Sequence, residues 1–242
     1  MKTLAFARRN TKEILRDPIT LFFGLCFPVV LLILLSAIQR SVPVELFETE
    51  RLTPGICVFG LSFITLFAAQ LIAKDRGSAF LTRLYTTPLT APGFIAGYAL
   101  PLLPIALLQG ALICLVALPL GLHLSVGIAV MLLSNIPAAL LFISMGLLFG
   151  SLLNLRQAGG ICGALVTNLS AWLSGIWFDL SLVGGAFEKI AYALPFVHCV
   201  EAGRAALTCD IAGAARSFVP IFLYSAAIFA SAVAVFVRQM KR

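Results

Sequence analysis

The chain has 242 residues, 61% of them hydrophobic and 11% charged. Soluble domains are about half apolar and about a quarter charged, so this composition excludes an ordinary water-soluble fold and requires lipid as part of the solvent. The net charge of +7 needs no nucleic acid to explain it, because Lys and Arg gather at the cytoplasmic ends of membrane spans.

In chain order, the first element is an amphipathic helix over residues 1–17, lying on the membrane. Arg8, Lys12 and Arg16 recur every fourth residue and form a cationic stripe, with Arg9 as a further cation, while Leu4, Ala7, Ile14 and Leu15 fall on a different side. Such a helix sits at headgroup level, its charges toward anionic lipid or a cytoplasmic partner; a plain topology anchor is the other reading. Asp17-Pro18 breaks it. The charged region from Lys2 to Asp17 is too long for a signal peptide, and no small-x-small site follows the first apolar run, so that run reads as a retained span.

A membrane helix needs about 20 largely apolar residues, and six stretches qualify: 21–38, 54–73, 93–120, 126–150, 159–178 and 218–237. Pro28, Pro101, Pro104 and Pro137 lie inside them and can kink their helices. With the N-terminus inside, twelve of the 17 Lys and Arg fall on the cytoplasmic side, so both termini are expected there. No internal repeat stands out, which disfavours inverted-repeat carriers.

Between the second and third spans lies "AKDRGSAFLTRLYTTPLT", residues 73–90. Ser78 can cap a short helix over 77–87. Phe80, Leu81, Leu84 and Tyr85 give it an apolar side, Arg76 and Arg83 share a face, and Pro88 stops it. Either it docks into a groove on a partner or it is a loop that joins spans. The segment 179–217 is too long for a plain connector. Its 186–208 portion reads as two short helices broken at Pro195 that dip into the membrane and return, with Glu201 and Arg204 spaced to pair and His198 beside them.

On the fifth span, Thr167, Ser170 and Ser174, with Trp177 nearby, either line a substrate path or hold helices together. The spans carry no charge well inside them, which disfavours ion-coupled pumping. There is no GxxxxGK[ST] phosphate loop and no catalytic constellation, so the chain reads as a non-enzyme whose energy comes from elsewhere. Two histidines, neither at ligand spacing, do not suggest zinc. Among six cysteines without a CxxC pair, Cys199 and Cys209 are placed where they can pair, a matter their spacing leaves open.

The basic N-terminal "RNTKEILRDP", the loop "KDRGSAFLTRLYTTPLT", the span end "LSGIWFDL" and the following "LPFVHCVEAGRAAL" together resemble the bacterial ABC type-2 permeases, the membrane subunits of ABC exporters. The resemblance covers essentially the whole chain. Where the family often has Glu near the start of the loop, this sequence has Asp75, so the loop's salt-bridge partners stay open. The resemblance implies an all-α, polytopic fold of six transmembrane helices, with an N-terminal interfacial helix, a cytoplasmic coupling helix and extracellular re-entrant helices containing Pro195, Glu201 and Arg204. It implies a cell-membrane protein that exports a drug-like or other amphiphilic small molecule, paired with a second copy or a homologous permease. A cytoplasmic ABC ATPase would bind Mg-ATP, this chain holding no cofactor or metal. Arg76, Phe80, Leu81, Arg83, Leu84 and Tyr85 would contact that ATPase. Lipid or glycan as cargo, or a scaffold that transports nothing, are the alternatives.

Overall fold

A computed structural model describes residues 2–42, 45–78 and 91–240. The first helix, α1, covers Lys2–Leu15. Asp17 then caps α2 (Pro18–Ser41) by accepting the Thr20 hydroxyl at 2.6 Å and the Thr20 N–H at 3.1 Å, with Pro18 in the first turn. Pro suits that position because its missing N–H would be unpaired there anyway. The two Thr20 bonds hold Asp17 below the usual carboxylate range. A π-helical turn at Phe22–Cys26 interrupts α2 just before Pro28.

Helix α3 (Thr49–Arg76) is the central post: 89% of its apolar window is buried, against 28% for α2. Small residues make this possible by letting backbones approach. Gly146 and Gly150 of α5 (Val126–Leu152) lie directly on it; a Cβ on Gly146 would sit 2.6 Å from the Thr65 carbonyl, and one on Gly150 2.8 Å from that of Ala69. The Thr65 hydroxyl donates to the Phe142 carbonyl of α5 at 2.8 Å. From α4 (Ala91–Leu120), the Gln109 amide donates to the Cys57 carbonyl at 3.2 Å, in space left by Gly60.

Helix α6 runs over 155–172 with a π-helical turn at Ile161–Val166. It descends antiparallel to α3: Gly159 lies near Gln70, Gly163 near Leu66, and Ile176 beyond its end packs on Gly55. Three short helices follow, α7 (Leu180–Val183), α8 (Gly185–Ala193) and α9 (Pro195–Leu207), and then α10 (Ile211–Met240). Helix α9 is largely buried, its Gly203 against Pro54 of α3. Phe236 of α10 meets Phe94 of α4 at 4.9 Å, and Phe6 of α1 meets Phe94 at 5.1 Å, so the two ends of the chain reach the same end of the bundle.

Among the described residues there is no strand. Five of the described helices are long and apolar enough to cross a membrane, α2 to α5 and α10. The stretch expected as a single span over 159–178 differs: it is helical only to Trp172, and the chain turns over 173–178, where Gly175 adopts φ +69°. The last helix starts at Ile211, ahead of the expected 218, and thereby takes up part of the expected loop. Cys199 and Cys209 are both free thiols, the first buried in α9 and the second exposed in the turn after it.

The α3–α5 contact sets a test. Gly146→Leu forces a side chain into the backbone of α3 and is expected to lower stability by about 2 kcal/mol or more. Gly160→Ala, with nothing within 4 Å, is expected to leave the unfolding midpoint in detergent unchanged or slightly raised. Equal midpoints for both variants would refute the close approach.

Candidate functional site

The end of α3 carries Lys74, Asp75 and Arg76; the first two are held by α1 and the third by α5. Asp75 is 2% exposed. Arg9 of α1 donates to it through both terminal nitrogens, at 2.6 and 2.8 Å, and the Tyr98 hydroxyl of α4 donates at 2.9 Å. A bidentate guanidinium is the strongest partner a buried carboxylate can have. Burial opposes the charge on Arg9, but the hydrogen bonds and charge of Asp75, with Glu13, outweigh it and raise the Arg9 pKa above its ordinary value. Glu13 bridges Arg9 at 2.6 Å and Lys74 at 2.7 Å, so two cations and two anions close into one network.

The next turn of α1 extends the clamp to α4. Pro101 has no N–H to give the Gly97 carbonyl four residues back. The buried Asn10 amide donates to that carbonyl instead, at 3.0 Å. Phe6 packs on Tyr98 edge-on at 4.9 Å and on Phe94 at 5.1 Å. Gly97 is needed here, because a Cβ would overlap the Phe6 ring. Arg76 turns the other way and donates to the Gly150 and Leu153 carbonyls at 2.9 and 3.3 Å. It thus caps the last turn of α5, where a cation also meets the negative end of the helix dipole.

These contacts place the predicted residues, with corrections. Arg8, Lys12 and Arg16 form an exposed stripe. Arg9 is not part of it; it faces the bundle. The expected apolar side of α1 is divided: Ala7 and Ile14 are buried, while Leu4 and Leu15 are exposed. The buried face is Phe6, Ala7, Asn10 and Ile14, since the helix rests on α3 and α4 and not on lipid alone. Phe80, Leu81, Arg83, Leu84 and Tyr85 lie outside the described residues, as does the 77–87 helix beyond Ser78. Thr167, Ser170 and Ser174 are buried with their hydroxyls on carbonyls of their own segment, at 3.1, 2.9 and 3.2 Å. Trp177 is half-buried against Phe59, with ring centroids 5.8 Å apart.

At the opposite end, Pro195 opens α9. The expected Glu201–Arg204 pair is replaced by other partners. Arg204 donates to the carbonyls of Arg51 and Gly175, both at 3.1 Å, and so ties α9 to the first turn of α3 and to the turn after α6. Burial, then the neighbouring Arg51, lowers its pKa. Glu201 instead sits 3.7 Å from His198. Among the described residues no three His, Cys, Asp or Glu come together as a metal site.

Asn10, Glu13 and Tyr98 are site residues that sequence reasoning missed. The available signals were Arg9-Asn10 falling off the four-residue stripe, and Tyr98 as a polar-tipped aromatic just ahead of a double-proline stretch.

The site therefore consists of the two flanks of the 79–90 segment, both held by α1. The model of the ABC-2 type transporter family matches residues 1–208. The chain belongs to that family, as a membrane permease component of an ABC transporter, a class that works with an ABC ATPase. No curated protein matches it.

A double-mutant cycle tests the clamp. Arg9→Met strands a buried carboxylate and is expected to cost about 2–3 kcal/mol. Adding Asp75→Asn should recover part of that loss, giving a coupling of about 1 kcal/mol or more. Unfolding midpoints of the four proteins measure it, and additive losses would rule the pair out as an anchor.

Proposed function

We propose that this chain is the permease half of an ATP-driven exporter that carries an amphiphilic, drug-like molecule out of the cytoplasm or inner leaflet of a bacterial cell. In this reading both termini and the 79–90 segment face the cytoplasm, as the Lys and Arg distribution favours. A second copy, or a homologous permease, faces it across the substrate path. A separate ATPase subunit binds Mg-ATP.

One observation supports this reading above the others: α1 grips both flanks of the 79–90 segment, through Asp75 on one side and Gly97 and Tyr98 on the other. Residues 77–87 act as the coupling helix, seated in a groove of the ATPase through Phe80, Leu81, Arg83, Leu84 and Tyr85. ATP-driven closure pushes on that helix. Packed interiors transmit strain because they compress little, so a push on clamped flanks moves α1, α3 and α4 together. Arg76 carries the displacement to the junction of α5 and α6, and the π-helical turn at Ile161–Val166, further along α6, gives a place to yield. The uncharged interiors of the spans suit an amphiphile better than an ion.

The tagged chain, taken from its native membranes in mild detergent, is expected to bring down a stoichiometric ATPase with a phosphate-binding loop. Leu84→Asp and Arg83→Glu are expected to leave insertion and ATP hydrolysis in place while lowering export by roughly tenfold or more. Normal export by both variants would remove the coupling role. A preparation that keeps other complexes intact but yields no ATPase would remove the exporter reading.

A further inference from the structure

A groove of about 620 Å³ runs between α1 and α4 on the outer side of the clamp. That volume lies within the range of small-molecule sites. One wall is a single face of α1, in which Leu4, Arg8, Thr11 and Leu15 follow at helical spacing, with Lys12 beside Arg8. The other wall is Leu100, Pro101 and Pro104 of α4. The Thr11 hydroxyl donates to the Ala7 carbonyl of its own helix at 3.0 Å, so it leaves the wall apolar. Pro104 withdraws the N–H that a regular helix would offer the Leu100 carbonyl, at the floor of the same groove.

Two features identify the occupant. The first is order along α1: exposed leucines, Leu4 at 71% and Leu15 at 58%, bracket two exposed cations. A water-borne acidic partner would leave those leucines in water, whereas a bilayer takes the leucines into hydrocarbon and the cations at headgroup level. The second is charge. Arg9 and Lys74 are neutralised by Asp75 and Glu13, while Arg8 and Lys12 have no ion-pair partner among the described residues. We infer that the groove between α1 and α4 holds one anionic phospholipid, its phosphate on Arg8 and Lys12 and an acyl chain along Leu100, Pro101 and Pro104. The inference rests on membrane placement alone and not on the export reading. It gives α1 a lipid contact on the face beside its protein contact, so the clamp is flanked by the leaflet.

The test is native mass spectrometry of the full chain, delipidated in neutral detergent and titrated with phosphatidylglycerol or phosphatidylcholine of matched chains. Phosphatidylglycerol is expected to fill a first site about tenfold to thirtyfold more tightly, the effect of two cations near an anionic headgroup. Arg8→Gln with Lys12→Gln should reduce it to the phosphatidylcholine level. Leu100→Trp, which fills the groove from an exposed position, should weaken both lipids at that site. Arg156→Gln, an exposed cation at the same end of the bundle but outside the groove, should change the affinity less than twofold. Equal affinity for the two lipids overturns the proposal. So does an undiminished phosphatidylglycerol site in the double variant, or an equal loss in Arg156→Gln. Displacement of the lipid by millimolar inorganic phosphate would mark an anion site without the acyl contact and also overturn it. If the double variant keeps the lipid site but loses the co-purifying ATPase, the cations serve a protein partner instead.

Discussion

A carboxylate taken out of water must be met by donors, and one whole end of this bundle is arranged around meeting Asp75. Leaving such a charge unpaired costs several kcal/mol. Its neighbours Lys74 and Arg76 turn to other partners, so the donors come from elsewhere: a guanidinium from α1 and a phenol from α4. Bringing Arg9 to Asp75 lays α1 across both helices. Once α1 is there, Phe6 reaches Phe94 and Tyr98, and Asn10 reaches Gly97. The interfacial helix is thereby a structural member of the bundle and not an appendage floating on the membrane.

The same logic governs backbone groups where water is scarce. Prolines and helix ends leave carbonyls without donors, and a membrane cannot supply them. Long-range side chains do so here. Asn10 serves the carbonyl left by Pro101, Arg76 serves the end of α5, and Thr49 serves the end of α4. Each bond also ties two helices together. Pro101, which weakens its own helix, thereby creates a site at which two helices are joined.

Much of the fold was legible in the residues. Long apolar runs announce helices because lipid permits little else, and Asp17-Pro18 and Leu194-Pro195 announce breaks because proline restricts the residue before it. The site was legible only in part. Periodicity placed the Arg8, Lys12 and Arg16 stripe outward, and among the described residues none of the three has an ion-pair partner. It misplaced Leu4 and Leu15, because apolarity alone does not say whether protein or lipid covers a residue. It overlooked Asn10, whose polarity reads as exposure until a carbonyl 87 residues away is brought within reach. The spacing of Glu201 and Arg204 permits a pair, but the guanidinium instead bonds the carbonyls of Arg51 and Gly175.

The sequence by itself determined that the chain lives in lipid, that it is helical, and roughly where its helices begin and break. These are properties of composition and local geometry, which each segment expresses alone. Only the tertiary structure decided who meets Asp75, which face of α1 is buried, and that the third and sixth helices run antiparallel along their length. Those outcomes depend on donors and acceptors far apart in the chain, and a buried polar group accepts whichever partner the packing delivers.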